Sequence, residues 1–229
     1  MISVIIPTLN ASAGLAATLA ALVPGLVSGV LREVVLVDGG SIDNTLEIAE
    51  VAGVKIVQSK CGRGSQLRKG AQTAKSDWLL FLHADTVLEA GWDEEVRVLI
   101  ERIEFKGYAE TAAAFRFVLD DSGFLPRMIE RGVALRCAVL RMPYGDQGLL
   151  IPRRLYDKIG GYSDIPLLED VDLNRRIGRT RMHIMRSGAV TSAIRYRRDG
   201  YIRRILRNWV CLSMYYCRVP VANIARIYN

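Results

Sequence analysis

The sequence predicts an α/β protein built on a mostly parallel central sheet with helices on both faces. Two observations support this class: 50% of the 229 residues are hydrophobic, and short runs rich in Val, Ile and Leu alternate with stretches of helical periodicity. Parallel strands buried on both faces appear as continuous apolar runs, and they need a crossover connection that is usually a helix. A chain of this length can form one sizeable domain.

Four apolar runs in the first part of the chain predict strands, at residues 2–7, 33–38, 54–58 and 78–85. Helical spacing predicts helices in 12–23, 43–52 and 64–75, and Asp43 is placed to cap the second of them. The second half is less regular. It contains strand-like AAAFRFVL and GLLIPRR and helix-like PRMIERGVALRCAVL and EDVDLNRRIGR. No linker separates the halves, so we expect one continuous domain with a C-terminal helical appendage.

The net charge of +7 comes from the C-terminal tail. Residues 195–229 contain eight arginines and one acid, so the first 194 residues are neutral overall. Because the main domain is neutral and has no recognition motif, the sequence does not indicate nucleic-acid binding. No apolar stretch approaches the roughly 20 residues that span a bilayer, and the first ten residues lack the features of a signal peptide. We therefore expect a cytoplasmic protein.

Polar residues follow the C-terminal ends of the predicted strands, where open α/β sheets bind their ligands. They are Thr8, Asn10, Asp38, Arg63, His83 and Asp85. We expect these side chains to converge on one edge of the sheet.

The glycine-rich segment CGRGSQLRKGA, residues 61–71, matches neither the dinucleotide-binding nor the Walker template. A phosphate-binding loop and a glycine turn that opens a helix both remain open. In either case Arg63 lies at a predicted helix N-terminus, where backbone N–H groups favour an anion.

Asp85 is either a turn residue or a metal ligand. One carboxylate can be enough for Mn²⁺ or Mg²⁺ when phosphate oxygens and water complete the coordination. His83 is two residues earlier, so on an extended strand it lies on the same side as Asp85. It is either a metal-contacting group or a structural histidine.

A second acidic cluster, Glu169, Asp170 and Asp172, begins the predicted helix EDVDLNRRIGR. Acids at a helix N-terminus are favoured by the macrodipole without any catalytic role. Crowded carboxylates beside a cleft also raise one another's pKa, which prepares one of them to accept a proton.

The ordered segments VIIPTLNA, VVLVDGGSIDNTLEIA, GRGSQLRKGAQTAKSDWLLFLHADT and LLEDVDLNRRI resemble family 2 glycosyltransferases with the GT-A fold. The segments PYGDQGLLIPRRLYDKIGGY and TSAIRYRRDG resemble, more specifically, a bacterial subgroup known as radical-SAM/selenodomain-associated transferases. The resemblance runs from residue 2 to the C-terminus. It implies an inverting transfer of a sugar from a nucleoside-diphosphate donor, UDP- or GDP-linked, to an acceptor hydroxyl.

The resemblance also implies roles for particular residues. The residues expected to bind the nucleotide or donor are Pro7, Thr8, Asn10, Asp38, Arg63, Gln66, His83 and Arg195. Asp85 is expected to bind Mn²⁺ or Mg²⁺, and Asp170, next to Glu169, to be the catalytic base. Asp146, Gln147 and Tyr196 are expected to bind the sugar or the acceptor, although Asp146 and Gln147 in YGDQG also fit an ordinary turn.

On this basis the chain divides into a nucleotide-binding half (1–90), an acceptor and catalytic half (91–198) and basic C-terminal helices (199–229). His83 stands where the family's D-x-D motif has its first acid, Gly39 where many relatives have a second Asp, and Ala11 where a Glu is common. Two other classes remain open: a nucleotidyltransferase of the same fold, and a non-catalytic module that binds nucleotide or membrane.

The tail segment YIRRILRNWVCLSMYYC, residues 201–217, predicts a basic amphipathic helix. Its apolar face is formed by Ile202, Ile205, Leu206, Trp209 and Tyr216, and the arginines that cluster away from this face are Arg203, Arg204 and Arg207. We expect the apolar face to dock on its own domain or on a second copy in a homodimer. The alternative is a peripheral contact with the inner face of an anionic membrane, which would suit a lipid-linked acceptor.

Overall fold

A computed structural model describes residues 1–107 and 110–228. It contains eight strands within these residues: β1 (Ile2–Thr8), β2 (Leu31–Asp38), β3 (Lys55–Gln58), β4 (Trp78–Phe81), β5 (Thr86–Leu88), β6 (Ala112–Asp120), β7 (Leu149–Pro152) and β8 (Met182–Ser192). All eight belong to one sheet, in the order β3-β2-β1-β4-β7-β6-β8-β5.

Eleven α-helices connect and follow the strands in the same described residues. They are α1 (Ser12–Ala20), α2 (Val23–Val27), α3 (Thr45–Val51), α4 (Arg63–Thr73), α5 (Trp92–Phe105), α6 (Phe124–Leu140), α7 (Arg153–Lys158), α8 (Glu169–Ile177), α9 (Ile194–Asp199), α10 (Tyr201–Tyr216) and α11 (Val221–Tyr228). Within the chain segments just given, none of these helices is both long and apolar enough to cross a bilayer.

The sheet is mixed but mostly parallel, as predicted. The pairs β1–β2, β2–β3, β1–β4 and β6–β8 are parallel, whereas β7 runs antiparallel to both β4 and β6, and β5 runs antiparallel to β8. Because β1, β2 and β4 are parallel neighbours, their C-terminal ends lie at the same edge. The antiparallel β7 joins the two halves of the chain into one continuous sheet.

Helices cover both faces of the sheet, which confirms the predicted fold class. On one face, side chains of α1, α3 and α5 pack on the strands, and Trp92 is fully buried there with its indole N–H donating to the Ala21 carbonyl at 2.9 Å. On the other face, α4, α7 and α8 pack around the aromatic cluster of Phe81, Tyr156 and Tyr162. A third, smaller cluster joins α6 to α9 and α10.

Two features of the first half differ from the prediction. Strand β4 ends at Phe81, four residues before the predicted end, so His83 and Asp85 lie in the connection to β5 rather than on the strand. Asp43 does accept from the N–H of Thr45 at the start of α3, and its second oxygen accepts from the Ser12 N–H at the start of α1. One carboxylate therefore serves two helix N-termini.

The tail differs more. The expected apolar face of α10 does not dock on its own domain, because Ile202, Leu206 and Trp209 are exposed. Ile205, also predicted for that face, does pack against the third core cluster. The arginines also do not cluster away from the protein as a group. Arg204 is buried, because its guanidinium donates to Asp199 at 2.9 Å and lies 5.2 Å from the ring centre of Tyr196.

Candidate active site

The ends of β1 and β2 form a rigid platform at the ligand edge of the sheet. Asp38 is fully buried at the end of β2 and accepts hydrogen bonds from the hydroxyls of Thr8 and Ser41 and from the N–H groups of Gly40 and Ser41. Burial opposes ionisation, but these hydrogen bonds outweigh it and hold the pKa of Asp38 below its ordinary value. The carboxylate therefore organises the loop that follows β2.

Two further predicted residues hold the same platform. Asn10, with φ of 51°, accepts from the Ile42 N–H through its side chain, and its own N–H donates to Ser41. Gln66 reaches up from α4 and donates its amide to the carbonyls of Thr8 and Val37, at 2.7 and 2.8 Å. Pro7 precedes Thr8 on β1, half-buried. These side chains fix the backbone of two loops that face solvent.

A second group of predicted residues converges on a pocket of about 150 Å³ beside this platform. The predicted residues that line it are Arg63, His83, Asp85, Asp146, Glu169, Asp170, Arg195 and Tyr196. They come from the start of α4, the β4–β5 connection, the turn before β7, the start of α8 and α9. The pocket thus brings together side chains that are more than 100 residues apart in sequence.

Gln147 is the predicted acceptor residue that the structure keeps away from the pocket. Its amide donates to the Phe115 carbonyl at 2.9 Å, and its oxygen accepts from Arg136 and from the Tyr144 N–H, both at 3.3 Å. Every polar group of this buried side chain is therefore occupied within the protein, and Gln147 shapes the turn that presents Asp146.

Asp170 is held in the pocket by the backbone. Its two oxygens accept from the N–H groups of Gly145 and Val171, each at 2.7 Å. A Cβ at position 145 would lie 2.8 Å from His83 Nε2 and 3.3 Å from Asp170 Oδ2, so the approach needs glycine. The glycine of YGDQG thereby places the Asp170 carboxylate beside the His83 imidazole.

Glu169 and His83 are shifted in opposite directions by their surroundings. Burial raises the pKa of Glu169, Arg63 with its guanidinium 3.5 Å from Oε1 opposes the rise, and Asp170 adds to it. Burial, assisted by Arg63 and Arg195, holds the pKa of His83 well below its ordinary value. The imidazole is therefore neutral, which is the form that binds a metal or accepts a proton.

Asp85 faces Arg195 across the pocket at 3.5 Å, and about a third of its side chain remains exposed. No group of three or more His, Cys, Asp or Glu side chains within residues 1–107 and 110–228 has the arrangement of a complete metal site. A hard cation bound by one carboxylate and by substrate oxygens needs no such group. The accessible Asp85 carboxylate, with neutral His83 nearby, fits that mode of binding.

The glycine-rich segment has a structural explanation. Gly62, with φ of 140°, precedes α4, and a Cβ on Gly64 would lie 2.2 Å from the Ser163 carbonyl oxygen. The glycines therefore allow a turn and a close backbone approach, and this approach brings Arg63 into the pocket.

We expect Gly64→Ala to lower the free energy of unfolding by about 2 kcal/mol or more, because backbone must move to accept the methyl group. The matched control is Gly132→Ala on α6, where a Cβ would meet nothing within 4 Å. That change should raise stability by about 0.5–1 kcal/mol, since alanine is the better helix former. Urea unfolding of both variants measures the difference, and equal effects would contradict the packing argument.

The position of Asp146 in the pocket disfavours its charged form. Burial raises its pKa to about 6, with Asp170 and Asp85 adding to the rise and Arg136 opposing it. Its Oδ1 is buried and has no hydrogen-bond partner. A folded-state pKa above the ordinary value of 3.8 means that the folded protein binds the proton more tightly, so stability falls as pH rises from 4 to 6.

Asp146→Asn removes this ionisation. We expect the variant to be more stable than the parent by about 2 kcal/mol at pH 8, where the parent must carry the buried charge, and nearly equal to it at pH 4. Thermal unfolding at both pH values measures the difference. A difference that does not change with pH would show that Asp146 ionises freely.

The structure adds residues that the sequence did not single out for the pocket. Arg204, Asn208, Cys211, Leu212 and Tyr228 line it from α10 and α11. Arg204 lies between Asp199 and Tyr228, donating to both, and Arg207 also donates to Asp199 at 2.8 Å. Asp199, the one acid among eight arginines in residues 195–229, was the available sequence signal for this arrangement. Its hydrogen bonds with Arg204 and Arg207 turn part of the basic face inward.

Comparison with solved structures shows the same fold in glycosyltransferases. A structure of glucosyl-3-phosphoglycerate synthase from Mycobacterium tuberculosis in complex with Mn²⁺, UDP and glucosyl-3-phosphoglycerate has a TM-score of 0.55 and 20% identity, and the match covers 83% of this chain and 70% of that one. S. aureus TarS has a TM-score of 0.59 and 15% identity, and the match covers 99% of this chain and 42% of that one. The chain therefore has the GT-A fold of these enzymes.

Sequence comparison identifies the family. A profile of "Glycosyl transferase family 2" matches residues 3–163, and the chain belongs to this family. A "PGL/p-HBAD biosynthesis glycosyltransferase" of Mycobacterium tuberculosis (strain ATCC 25177 / H37Ra) is 39% identical over 101 residues, which cover 38% of this chain and about a third (36%) of that protein. An "Uncharacterized glycosyltransferase" of Haemophilus influenzae is 25% identical over 99% of this chain and 86% of its own length.

Proposed function

We propose that the protein transfers a sugar from a nucleoside-diphosphate donor to an acceptor hydroxyl, with inversion at the anomeric carbon. The observation that carries this proposal is the pocket itself, which holds Asp170, Asp85 and Arg195 around one space at the ligand edge of a GT-A sheet. Family membership and the UDP bound by the mycobacterial synthase support a nucleotide-sugar donor. The motif resemblance alone supports the narrower radical-SAM/selenodomain-associated subgroup.

The nucleotide is proposed to bind on the platform formed by Pro7, Thr8, Asn10 and Asp38. The loops after β1 and β2 are tied together because the Asn10 N–H donates to Ser41 and the Asn10 side chain accepts from the Ile42 N–H, so their backbone is preorganised for a planar base and a ribose. Gln66 supports this platform from below. The diphosphate would then extend toward Arg63 and Asp85 in the pocket.

Mn²⁺ or Mg²⁺ is the cofactor that the pocket fits, with Asp85 as the protein ligand and His83 close enough in sequence to assist. When bound, the cation supplies Lewis-acid stabilisation of the diphosphate. The guanidinium groups of Arg63 and Arg195 add charge-assisted hydrogen bonds to the departing phosphate oxygens. Because Arg195 already faces Asp85 at 3.5 Å, both groups address the same part of the donor.

Asp170 is the proposed base. The acceptor hydroxyl gives its proton to an oxygen of Asp170 while its own oxygen attacks the anomeric carbon, and the bond from that carbon to the diphosphate breaks. The nucleoside diphosphate leaves with the bonding electron pair. A single displacement from the opposite face inverts the configuration. Glu169, buried beside Arg63, positions that guanidinium, whereas the backbone N–H of Gly145 fixes the Asp170 carboxylate.

The walls of the pocket indicate a polyhydroxylated substrate. Two buried oxygens that belong to pocket-lining residues have no hydrogen-bond donor among the described residues: Asp146 Oδ1 and Asn208 Oδ1. A buried acceptor without a donor costs about 1–3 kcal/mol, and sugar hydroxyls are donors of the right size. We therefore propose that Asp146, Asn208 and the neighbouring ring of Tyr196 contact the transferred sugar or a carbohydrate acceptor, which is proposed to be lipid-linked.

Calorimetric titration of UDP and GDP into the protein, with and without Mn²⁺, tests the proposal. We expect one nucleotide to bind, and to bind at least about tenfold more tightly with Mn²⁺, because Asp85 would hold the cation and the cation would supply positive charge for the diphosphate. Failure of both nucleotides to bind under either condition would favour a non-catalytic module. Tighter binding of nucleoside triphosphates than of diphosphates would favour a nucleotidyltransferase.

A further inference from the structure

The outer face of α10 carries apolar side chains that the fold leaves uncovered. Ile202 is 64% exposed, Leu206 60% and Trp209 67%. They point outward because the opposite face of the helix, with Arg204 and Asn208, lines the pocket. This face is a continuous stripe, since positions 202, 206 and 209 follow helical spacing.

A second stripe lies on α6. Phe124, Met128, Leu135 and Val139 are all exposed, with Phe124 at 78%. The buried side of α6 is formed by residues such as Ile129 and Cys137, which pack toward the sheet. Large apolar side chains at this spacing on an exposed helix face mark a contact surface rather than isolated exposure.

The two helices lie side by side and run in the same direction. At their beginnings, the Tyr201 hydroxyl donates to Asp121, and at their ends the Tyr216 hydroxyl lies 3.2 Å from the Met142 sulfur. Between these points, side chains of both helices pack in the third core cluster. We call α6, α10 and α11, with their uncovered apolar side chains, the basic helical surface.

The charge of this surface is strongly one-sided. Its three helices contain seven arginines and one acid, Glu130, which is paired with Arg127. Across residues 1–107 and 110–228, the exposed Arg131, Arg203 and Arg226 have no acidic partner. An apolar stripe bordered by arginines is complementary to anionic lipid headgroups above an apolar interior.

We propose that the basic helical surface binds an anionic bilayer, with α6 and α10 lying in the plane of the headgroups. The same charge argues against a second copy of the chain as the occupant. A two-fold contact would place the same patch on both partners, so the exposed Arg131, Arg203 and Arg226 of one copy would face the same arginines of the other. The helices are amphipathic and the structure holds none that spans a bilayer in its described segments, which agrees with binding on the surface.

Membrane binding by the basic helical surface would add a location to the proposed function. One consequence, the direction from which the acceptor reaches Asp170, rests on that function. Because α10 forms both a wall of the pocket and the apolar stripe, a lipid-linked acceptor embedded in the bilayer would present its sugar to Asp170 from the side of α10. Binding to vesicles itself requires no catalysis. It can therefore be measured independently of nucleotide binding, and each proposal can fail without the other.

Sedimentation with vesicles tests the surface. We expect the full chain to sediment with vesicles of equal parts phosphatidylcholine and phosphatidylglycerol at low salt, at least about tenfold more than with phosphatidylcholine alone. High salt should lower the binding, because it screens the arginines. Leu206→Ser with Trp209→Ser, and separately Arg131→Glu with Arg203→Glu, should each reduce it by about tenfold or more.

Phe105→Ser is the matched control, since Phe105 is 92% exposed at the end of α5, outside the basic helical surface. It should leave vesicle binding unchanged. Circular dichroism and thermal unfolding confirm that each variant is folded. Equal binding to neutral and anionic vesicles, no binding at low salt, or a dimer in sedimentation equilibrium that Leu206→Ser with Trp209→Ser dissociates would each overturn the proposal.

Discussion

The Asp170→Asn variant is expected to lose sugar transfer by about 10²–10⁴-fold while it keeps its affinity for the nucleotide. Asparagine preserves the shape of the side chain, and its one oxygen can still accept from the Gly145 N–H, but its NH₂ group gives up the hydrogen bond from the Val171 N–H and cannot take a proton from the acceptor hydroxyl. The measurement of kcat is the rate at which nucleoside diphosphate is released from a sugar donor that carries the nucleotide selected by titration. The titration itself measures nucleotide binding.

Asp172→Asn on the same helix is the control. Asp172 pairs with Arg176 and accepts from Ser163 and Tyr215, away from the pocket. We expect the Asp172→Asn change to affect thermal stability more than kcat. If Asp170→Asn turned over within threefold of the parent, Asp170 would not be the base, and Glu169, the adjacent pocket carboxylate, would become the residue to test.

The second large effect is expected for Asp85→Ala. Removal of this carboxylate should abolish the difference between nucleotide affinity with and without Mn²⁺, because the protein loses its ligand for the cation. Calorimetric titration of the variant measures that difference directly, without an acceptor. The variant should still bind the nucleotide through the platform of Asn10 and Asp38. Its affinity should equal the weaker affinity that the parent has without metal.

Asp120→Ala is the matched control for this change, since Asp120 is an exposed carboxylate at the end of β6 and does not line the pocket. It should leave the Mn²⁺ dependence intact. Equal Mn²⁺ dependence in Asp85→Ala and in the parent would exclude Asp85 as the metal ligand. It would also remove the main reason to place the diphosphate in this pocket.

The first half of the fold could be predicted because its signals are local. Strands β1, β2 and β3 are compact apolar runs closed by polar residues, and their observed bounds lie within two residues of those expected. Strand β8 was missed because its residues alternate irregularly: a register shift opposite Ala114 and Arg116 interrupts its pairing with β6. Strand β5 has three residues, too few for a pattern. Helix α5 was not predicted, although its buried residues Val96, Leu99, Ile100 and Ile103 recur at helical spacing.

The candidate site was predictable where a residue's position follows from the sheet, and not where it depends on distant partners. Thr8 and Asp38 lie at strand ends, so topology alone places them. The inward turn of Arg204 depends on Asp199 and Tyr228, whose positions no helical pattern reveals. Gln147 was misleading for the same reason, because a polar residue in a glycine-flanked turn gives no sign that its amide is already occupied by Phe115.

One helix, α10, has the pocket on one side and the uncovered apolar stripe on the other. Any ligand that shifts α10 from within the pocket changes the free energy of contact at its outer face, and an outer contact must change affinity in the pocket by the same factor. A ligand bound in the pocket would thus change the affinity of the outer face of α10 for whatever contacts that face.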